Sequence, residues 1–156
     1  MIYIGVDPGV EGGFAVIMVD GGQTDVAVGA MEDGCFVRTM QAVADDKLMD
    51  KFAIVEQVNS RPKQGAPGMF KFAKNAGYIE GVLAALRIPC QTVVPRKWKA
   101  EFGLNSDKAK SCEVCKRLFP NVDLRRTKKC RKDHDGMAEA LLMAEYARRI
   151  SGRVNE

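Results

Sequence analysis

The feature that most constrains the fold is a short apolar run at the start of the chain, which ends at an acidic turn. Residues 2–6, Ile-Tyr-Ile-Gly-Val, have the composition of a strand that is buried in a mixed or parallel sheet. Asp7 follows, and then Pro8 and Gly9, which favour a turn over further strand. We therefore expect Asp7 at the end of a core strand, beside a cleft. The alternative is that Asp7 only caps its own loop, because Asp-Pro-Gly is common in turns.

A second strand, Lys51–Val58, also carries an acid near its end, Glu56. Between the two acid-bearing strands, Phe14–Val19 and Thr24–Gly29 are predicted strands on tight turns, and the apolar spacing of Cys35–Met49 predicts a helix. The first three strands are therefore expected to form an antiparallel meander. If the chain then crosses over and runs parallel to its first strand, both acids lie at one edge of the sheet, where ligands gather in open α/β sheets.

The remaining elements are mostly helices. The pattern predicts a strand at Gln91–Val94 and helices at Met69–Leu86, Arg96–Phe102, Ser106–Leu118 and Asp135–Ile150. Small residues at Ala73, Gly77 and Gly81 would let another helix pack closely on the Met69–Leu86 helix. These small residues could serve ordinary packing in the core, or they could form a dimer interface.

The predicted strands and helices indicate the α/β class, and the length predicts a single domain over residues 1–156. The content of 46% hydrophobic and 28% charged residues is ordinary for a globular protein. No apolar run is long enough to cross a bilayer, and no signal-peptide pattern opens the sequence. We therefore expect a cytoplasmic protein.

Charge is unevenly distributed, although the net charge is only +4. Acids prevail from Met1 to Glu56, and bases prevail from Arg96 to Lys132. This pattern favours metal-binding carboxylates beside a surface that binds a polyanion, although a solvated charged face would show the same bias. The bases that we expect to contact nucleic acid are Arg61, Lys63, Lys97, Lys99, Lys108, Arg125, Arg126, Lys128 and Lys129.

The last predicted helix begins with two further acids. Asp135 and Glu139 are four residues apart, so on a helix they share a face and repel each other unless a cation lies between them. A preference of acids for helix N-termini accounts for Asp135 but not for Glu139, which has apolar neighbours. With Asp7 and Glu56 they form a candidate Mg²⁺ or Mn²⁺ site. Two such ions can activate a water and stabilise the leaving oxygen of a phosphodiester.

Four segments carry a family resemblance. They are Asp7-Pro-Gly after a short strand, Val55-Glu-Gln-Val58, Phe70-Lys-Phe-Ala-Lys-Asn-Ala-Gly77 after a Gly-containing loop, and Asp135-Gly-Met-Ala-Glu-Ala-Leu-Leu142. In this order they resemble the RuvC Holliday-junction resolvases, most closely the RuvC-like proteins of bacteriophages. The resemblance covers nearly the whole chain.

This resemblance implies a ribonuclease H-like fold, with a five-stranded mixed sheet whose strands one to three are antiparallel, flanked by helices. It implies an Mg²⁺- or Mn²⁺-dependent endodeoxyribonuclease, with two ions per site, that resolves four-way junctions and other branched DNA by paired nicks. It also implies a homodimer through the Met69–Leu86 helix and, for a phage protein, the cytoplasm of a bacterial host. By matching position, the metal carboxylates are Asp7, Glu56, Asp135 and Glu139, and the lysines near the scissile phosphate are Lys99 and Lys108.

Two departures from the family pattern affect the site. Many members have an aromatic wedge just after Glu-Gln-Val, where this chain has Asn59, so Arg61 or Met69 would have to open the junction or the preference for junctions is looser. The last two acids are four residues apart instead of three. Asp133 or His134 could therefore replace Asp135 as a ligand.

The cysteines offer a separate metal hypothesis. Cys112, Cys115, Cys130 and the only histidine, His134, follow a Cys-x₂-Cys…Cys-x₃-His order that is typical of structural zinc. The first two fall on a predicted helix, where cysteine is often a small buried hydrophobe. Zinc binding and simple burial are both open interpretations.

The alternative to a nuclease is a non-catalytic module that binds branched nucleic acid on the same fold. Such a module would bind DNA in a salt-sensitive way without Mg²⁺-dependent nicking. An actin-like or sugar-kinase-like ATPase, which Asp7-Pro-Gly and Gly12-Gly13 loosely suggest, would need two domains, and the chain is too short for them.

Overall fold

A mixed sheet forms the centre of the molecule. The computed structural model describes residues 1–57, 65–105 and 107–154, without the side chains of residues 108, 153 and 154. Over these residues the strands are β1 (Ile2–Asp7), β2 (Gly13–Asp20), β3 (Gln23–Ala30), β4 (Lys51–Glu56) and β5 (Cys90–Val93). Their order across the sheet is β3-β2-β1-β4-β5. The first three are antiparallel neighbours, whereas β4 is parallel to β1 and β5 to β4, so the predicted five-stranded mixed sheet is confirmed.

Helices cover both faces of the sheet. They are a 3₁₀ turn (Met31–Asp33), α1 (Phe36–Asp45), α2 (Ala66–Ala85), α3 (Pro95–Glu101), α4 (Lys108–Leu118) and α5 (Asp135–Val154). The helix α2 begins three residues before the predicted start, because Pro67 suits a first helical turn, where no N–H partner is needed. None of the described helices is long and apolar enough to cross a membrane.

Alternation along β1 divides the core between the two faces of the sheet. Ile4 and Val6 belong to a buried cluster with residues of α1 and α2, such as Met40 and Leu83. Tyr3 points to the opposite face, into a cluster that is dominated by α5. Because side chains alternate along a strand, residues 3, 5 and 7 share the face that α5 covers.

Glycines bring α5 into backbone contact with the sheet. A Cβ atom on Gly5 would lie 2.0 Å from the Ala140 carbonyl oxygen and 2.4 Å from the Ala144 nitrogen, so no larger residue fits there. A second close contact joins Gly12 and Gly136, which form a parallel bridge. These two contacts place the first turns of α5 over the end of β1.

Candidate active site

Two acids lie side by side at the end of the sheet. The strands β1 and β4 are parallel, and their register pairs Val6 with Val55. The next residues, Asp7 and Glu56, are therefore neighbours at the carboxyl ends of adjacent parallel strands. The sequence predicted both acids at one edge of the sheet if these two strands were parallel, and they are parallel.

Both acids project from the face that α5 covers. Gly5 contacts the backbone of α5, and Ile54 lies in the cluster that contains α5. Asp7 and Glu56 are two residues further along their strands, so alternation directs them to the same face. Because Glu139 precedes Ala140, which contacts Gly5, its position on α5 is close to the strand ends.

The surroundings of Glu56 shift the pKa of its carboxyl group. The side chain is buried, and this burial raises the pKa of its carboxyl from 4.5 to about 7. A hydrogen bond from the Trp98 indole lowers that pKa, the negative charges of Asp7 and Glu139 raise it, and Lys99 lowers it. We call Asp7, Glu56 and Glu139 the acidic cluster.

Two side chains hold Glu139. The Lys99 ammonium donates to Glu139 Oε1 at 2.7 Å, and the buried Ser111 hydroxyl donates to the same oxygen at 3.2 Å. Only 6% of Glu139 is exposed, so a neutralising partner is needed for the charged carboxylate. Lys99, predicted near the scissile phosphate, is in this structure the counter-charge of the acidic cluster.

The acids before and at the start of α5 have other partners. Asp133 forms an ion pair with Lys116 at 2.5 Å. His134 Nδ1 accepts a hydrogen bond from the Met137 backbone N–H, so the ring caps the helix. Asp135 Oδ1 accepts a hydrogen bond from the Cys112 thiol at a sulfur–oxygen distance of 3.5 Å. Asp133, His134 and Asp135, the three candidates for this metal ligand, thus each have a partner within the chain. Only the partner of Asp135, a thiol, is a weak hydrogen-bond donor.

Three of the four predicted ligands, Asp7, Glu56 and Glu139, are neighbours, but they do not form a ready metal cage. No three His, Cys, Asp or Glu side chains within the described parts of the chain are placed to hold one ion together. The acidic cluster instead has the Lys99 ammonium as its balancing charge. The assignment of Asp7, Glu56, Asp135 and Glu139 as metal ligands stays a prediction.

The four zinc candidates are not gathered around one point in the described structure, and zinc binding stays an untested hypothesis. Cys115 is fully buried in the core against α5, and burial raises the pKa of its thiol to about 12. Cys112 contacts Asp135, while Cys130 contacts the Thr127 hydroxyl at 3.3 Å. A zinc site needs thiolates, and burial of Cys112 likewise raises its pKa to about 12.

Apart from Lys99, which pairs with Glu139, the predicted DNA-binding bases fall into three groups. Arg125 pairs with Asp123, and Arg126 pairs with Glu32 at 2.6 Å and Asp33 at 2.8 Å, so both are engaged with acids of this chain. Exposed positions are occupied by Lys97, Lys128 and Lys129. Arg61, Lys63 and the side chain of Lys108 lie outside the part of the chain that is described, as does Asn59.

Three supporting contacts were not predicted from the sequence. The Trp98 indole N–H donates to Glu56 Oε2 at 2.9 Å, and Ser111 supports Glu139. The Asn75 amide donates to the Pro8 carbonyl oxygen at 2.6 Å, which ties α2 to the turn after β1. The sequence gives only weak signals for these contacts. Trp98 lies between two lysines, and Asn75 lies inside the segment that resembles RuvC.

An apolar surface is exposed on α2. Phe70 is 71% exposed and Tyr78 is 48% exposed. A Cβ atom on Gly77 or Gly81 would meet no other atom within 4 Å. The small residues that the sequence analysis singled out therefore line an open helix surface, not a packed core.

Comparisons with known proteins bear on the fold. No family model matches the sequence, and no curated protein matches it. The structure has the ribonuclease H-like fold that the sequence resemblance predicts. A structure of T. thermophilus RuvC in complex with Holliday junction substrate is similar with a TM-score of 0.61 and 15% identity, over 99% of this chain and 96% of that chain. Another Thermus thermophilus RuvC structure is similar with a TM-score of 0.52 and 20% identity, over 96% of both chains. The resemblance to RuvC is confirmed at the level of the fold.

Proposed function

We propose that this protein is a metal-dependent endonuclease that cuts four-way and other branched DNA junctions. The acidic cluster carries this proposal, because Asp7 and Glu56 end adjacent parallel strands and Glu139 precedes the residue of α5 that contacts Gly5. Similarity of the fold to a RuvC that was solved with a Holliday junction supports branched DNA as the substrate.

The donors of the acidic cluster fit a divalent ion. Carboxylate oxygens are hard ligands of the kind that Mg²⁺ and Mn²⁺ prefer, and like charges in a partly buried site need a cation. Asp7, Glu56 and Glu139 would hold the ion, with Asp135 as the fourth ligand at the start of α5. Bound there, one or two ions would supply an activated water and stabilise the leaving oxygen.

Binding of an ion would release Lys99 for another task. The Lys99 ammonium lies 2.7 Å from Glu139 Oε1, and it would no longer be needed as the counter-charge if Glu139 held an ion. The ammonium, on a helix beside the cluster, could then serve as a point charge for a phosphate oxygen. Lys108, at the start of α4, is proposed for the same task.

The exposed surface of α2 supports a homodimer. Phe70 and Tyr78 are exposed apolar side chains, and Gly77 and Gly81 leave room for a close partner helix. Two copies joined there would present two acidic clusters, as paired nicks in opposite strands require. Lys97, Lys128 and Lys129, which are exposed, are proposed to hold the DNA backbone.

The test is a cleavage assay on a four-way junction, a flap, a Y-fork and a plain duplex, each with Mg²⁺ and with EDTA. We expect cleavage of branched substrates that depends on Mg²⁺, and little cleavage of the duplex. Cleavage of all four at equal rates would refute selectivity for branched DNA.

One observation favours the non-catalytic alternative. The ion pair of Lys99 with Glu139 neutralises the site from within the chain, as a module without metal would require. The same assay separates the two functions, because a binding module retards the junction in a gel but never nicks it with Mg²⁺ or Mn²⁺.

A further inference from the structure

The helix α3 reaches the acidic cluster with two consecutive residues. Trp98 donates its indole N–H to Glu56 Oε2 at 2.9 Å, and Lys99 donates to Glu139 Oε1 at 2.7 Å. The bond from Trp98 is buried and joins residues that are 42 positions apart in the chain. One short helix therefore fixes acids from two different elements, β4 and α5.

Core packing alone does not account for this tryptophan. Its ring is fully buried in the cluster that contains α5, and a buried indole N–H needs an acceptor. A backbone carbonyl could accept this hydrogen bond without the desolvation cost of burying a carboxylate, and Glu56 is only 9% exposed. The acceptor is instead the acid that the proposed function needs in its charged form.

We propose that Trp98 is a positioning residue, which holds the Glu56 carboxylate by Oε2 so that Oε1 is directed to the ion of the acidic cluster. This inference rests on the proposed metal-dependent function. A neutral donor suits the task, because it fixes the orientation of the carboxylate without adding a positive charge that would compete with the ion. Lys99 differs in this respect, since its positive charge would compete with an ion for Glu139.

Partners that orient a metal ligand typically contribute 10- to 100-fold in metal affinity. Trp98→Phe keeps an aromatic ring in the core and removes the N–H. We expect it to weaken Mn²⁺ binding by about 10- to 100-fold in isothermal titration calorimetry without DNA. Tyr146→Phe is the matched control, since it removes a polar group, the hydroxyl, from another buried aromatic residue of the same cluster. The control should bind Mn²⁺ like the wild type.

The only tryptophan of the chain also provides a direct signature. A ¹⁵N-labelled sample gives one indole N–H resonance, which should move when Glu56 is replaced by glutamine and broaden when stoichiometric Mn²⁺ is added. This measurement keeps Trp98 and so does not depend on how well Trp98→Phe folds.

The outcomes separate the inference from the proposed function. A wild type that binds no Mn²⁺ contradicts the metal-dependent function. A wild type that binds Mn²⁺ while Trp98→Phe binds it equally well overturns the positioning role. An indole resonance that is insensitive to both Glu56→Gln and Mn²⁺ overturns it as well.

Discussion

The raised pKa of Glu56 predicts an unusual dependence of stability on pH in the metal-free protein. Burial is the main cause, and it raises the pKa from 4.5 to about 7. The folded state therefore holds the proton more tightly than the unfolded chain. The stabilising contribution of Glu56 is complete below pH 4.5 and is lost as the pH rises to about 7.

The magnitude follows from the difference between the two pKa values. A pKa difference of one unit between the folded and unfolded states corresponds to about 1.4 kcal/mol. The contribution of Glu56 to the free energy of unfolding should therefore fall by roughly 3 kcal/mol between pH 4.5 and 8. Glu56→Gln cannot ionise and keeps an acceptor for the Trp98 indole. The variant should lack this decrease and become more stable than the wild type towards pH 8.

The assay is urea unfolding followed by circular dichroism at several pH values, with EDTA present. Other titrating groups are common to both proteins, so the difference between their unfolding free energies isolates Glu56. Mg²⁺ should stabilise the wild type at pH 8 more than the variant. A difference between the two proteins that is constant from pH 4.5 to 8 would refute the burial of an ionisable Glu56.

Three further predictions concern the helix contacts, the DNA surface and the dimer. Gly5→Ala should destabilise the protein by about 3 kcal/mol or more, because its Cβ would overlap the backbone of α5. In the same urea assay Gly152→Ala, which faces open space, should not destabilise it. Lys128→Ala with Lys129→Ala should reduce the log–log salt slope of junction binding by about 2, measured by fluorescence anisotropy; an equal slope would exclude phosphate contacts. Gly77→Leu should convert a dimer into a monomer in analytical ultracentrifugation, and a persistent dimer would place the interface elsewhere.

The positions of the acids on the sheet could be predicted because they depend on local patterns. Apolar runs that end at Asp7 and near Glu56 define strand ends, and the intervening helix makes the strands parallel. The spacing of Asp135 and Glu139 likewise defines a helix face. What the sequence could not supply is how far apart the side-chain oxygens lie, since that depends on how α5 packs on Gly5.

The contacts of α3 and the fate of the cysteines depend on tertiary packing. Nothing near Trp98 in sequence shows that its indole meets Glu56, which is supplied by a different strand. The Cys-x₂-Cys spacing suggested zinc, but on a helix the same spacing turns Cys115 into the core and Cys112 towards Asp135. Spacing alone does not distinguish a metal ligand from a buried thiol.

Cleavage of a four-way junction by the wild type and by Asp7→Asn, with binding to the junction recorded in parallel, tests the catalytic role of the acidic cluster most directly. Asp7 lies at the end of β1 beside Glu56, and asparagine has nearly the same shape without the charge. We expect Asp7→Asn to bind the junction like the wild type and to have no detectable Mg²⁺-dependent cleavage. If Asp7→Asn nicks the junction at the wild-type rate, the acidic cluster is not the catalytic centre.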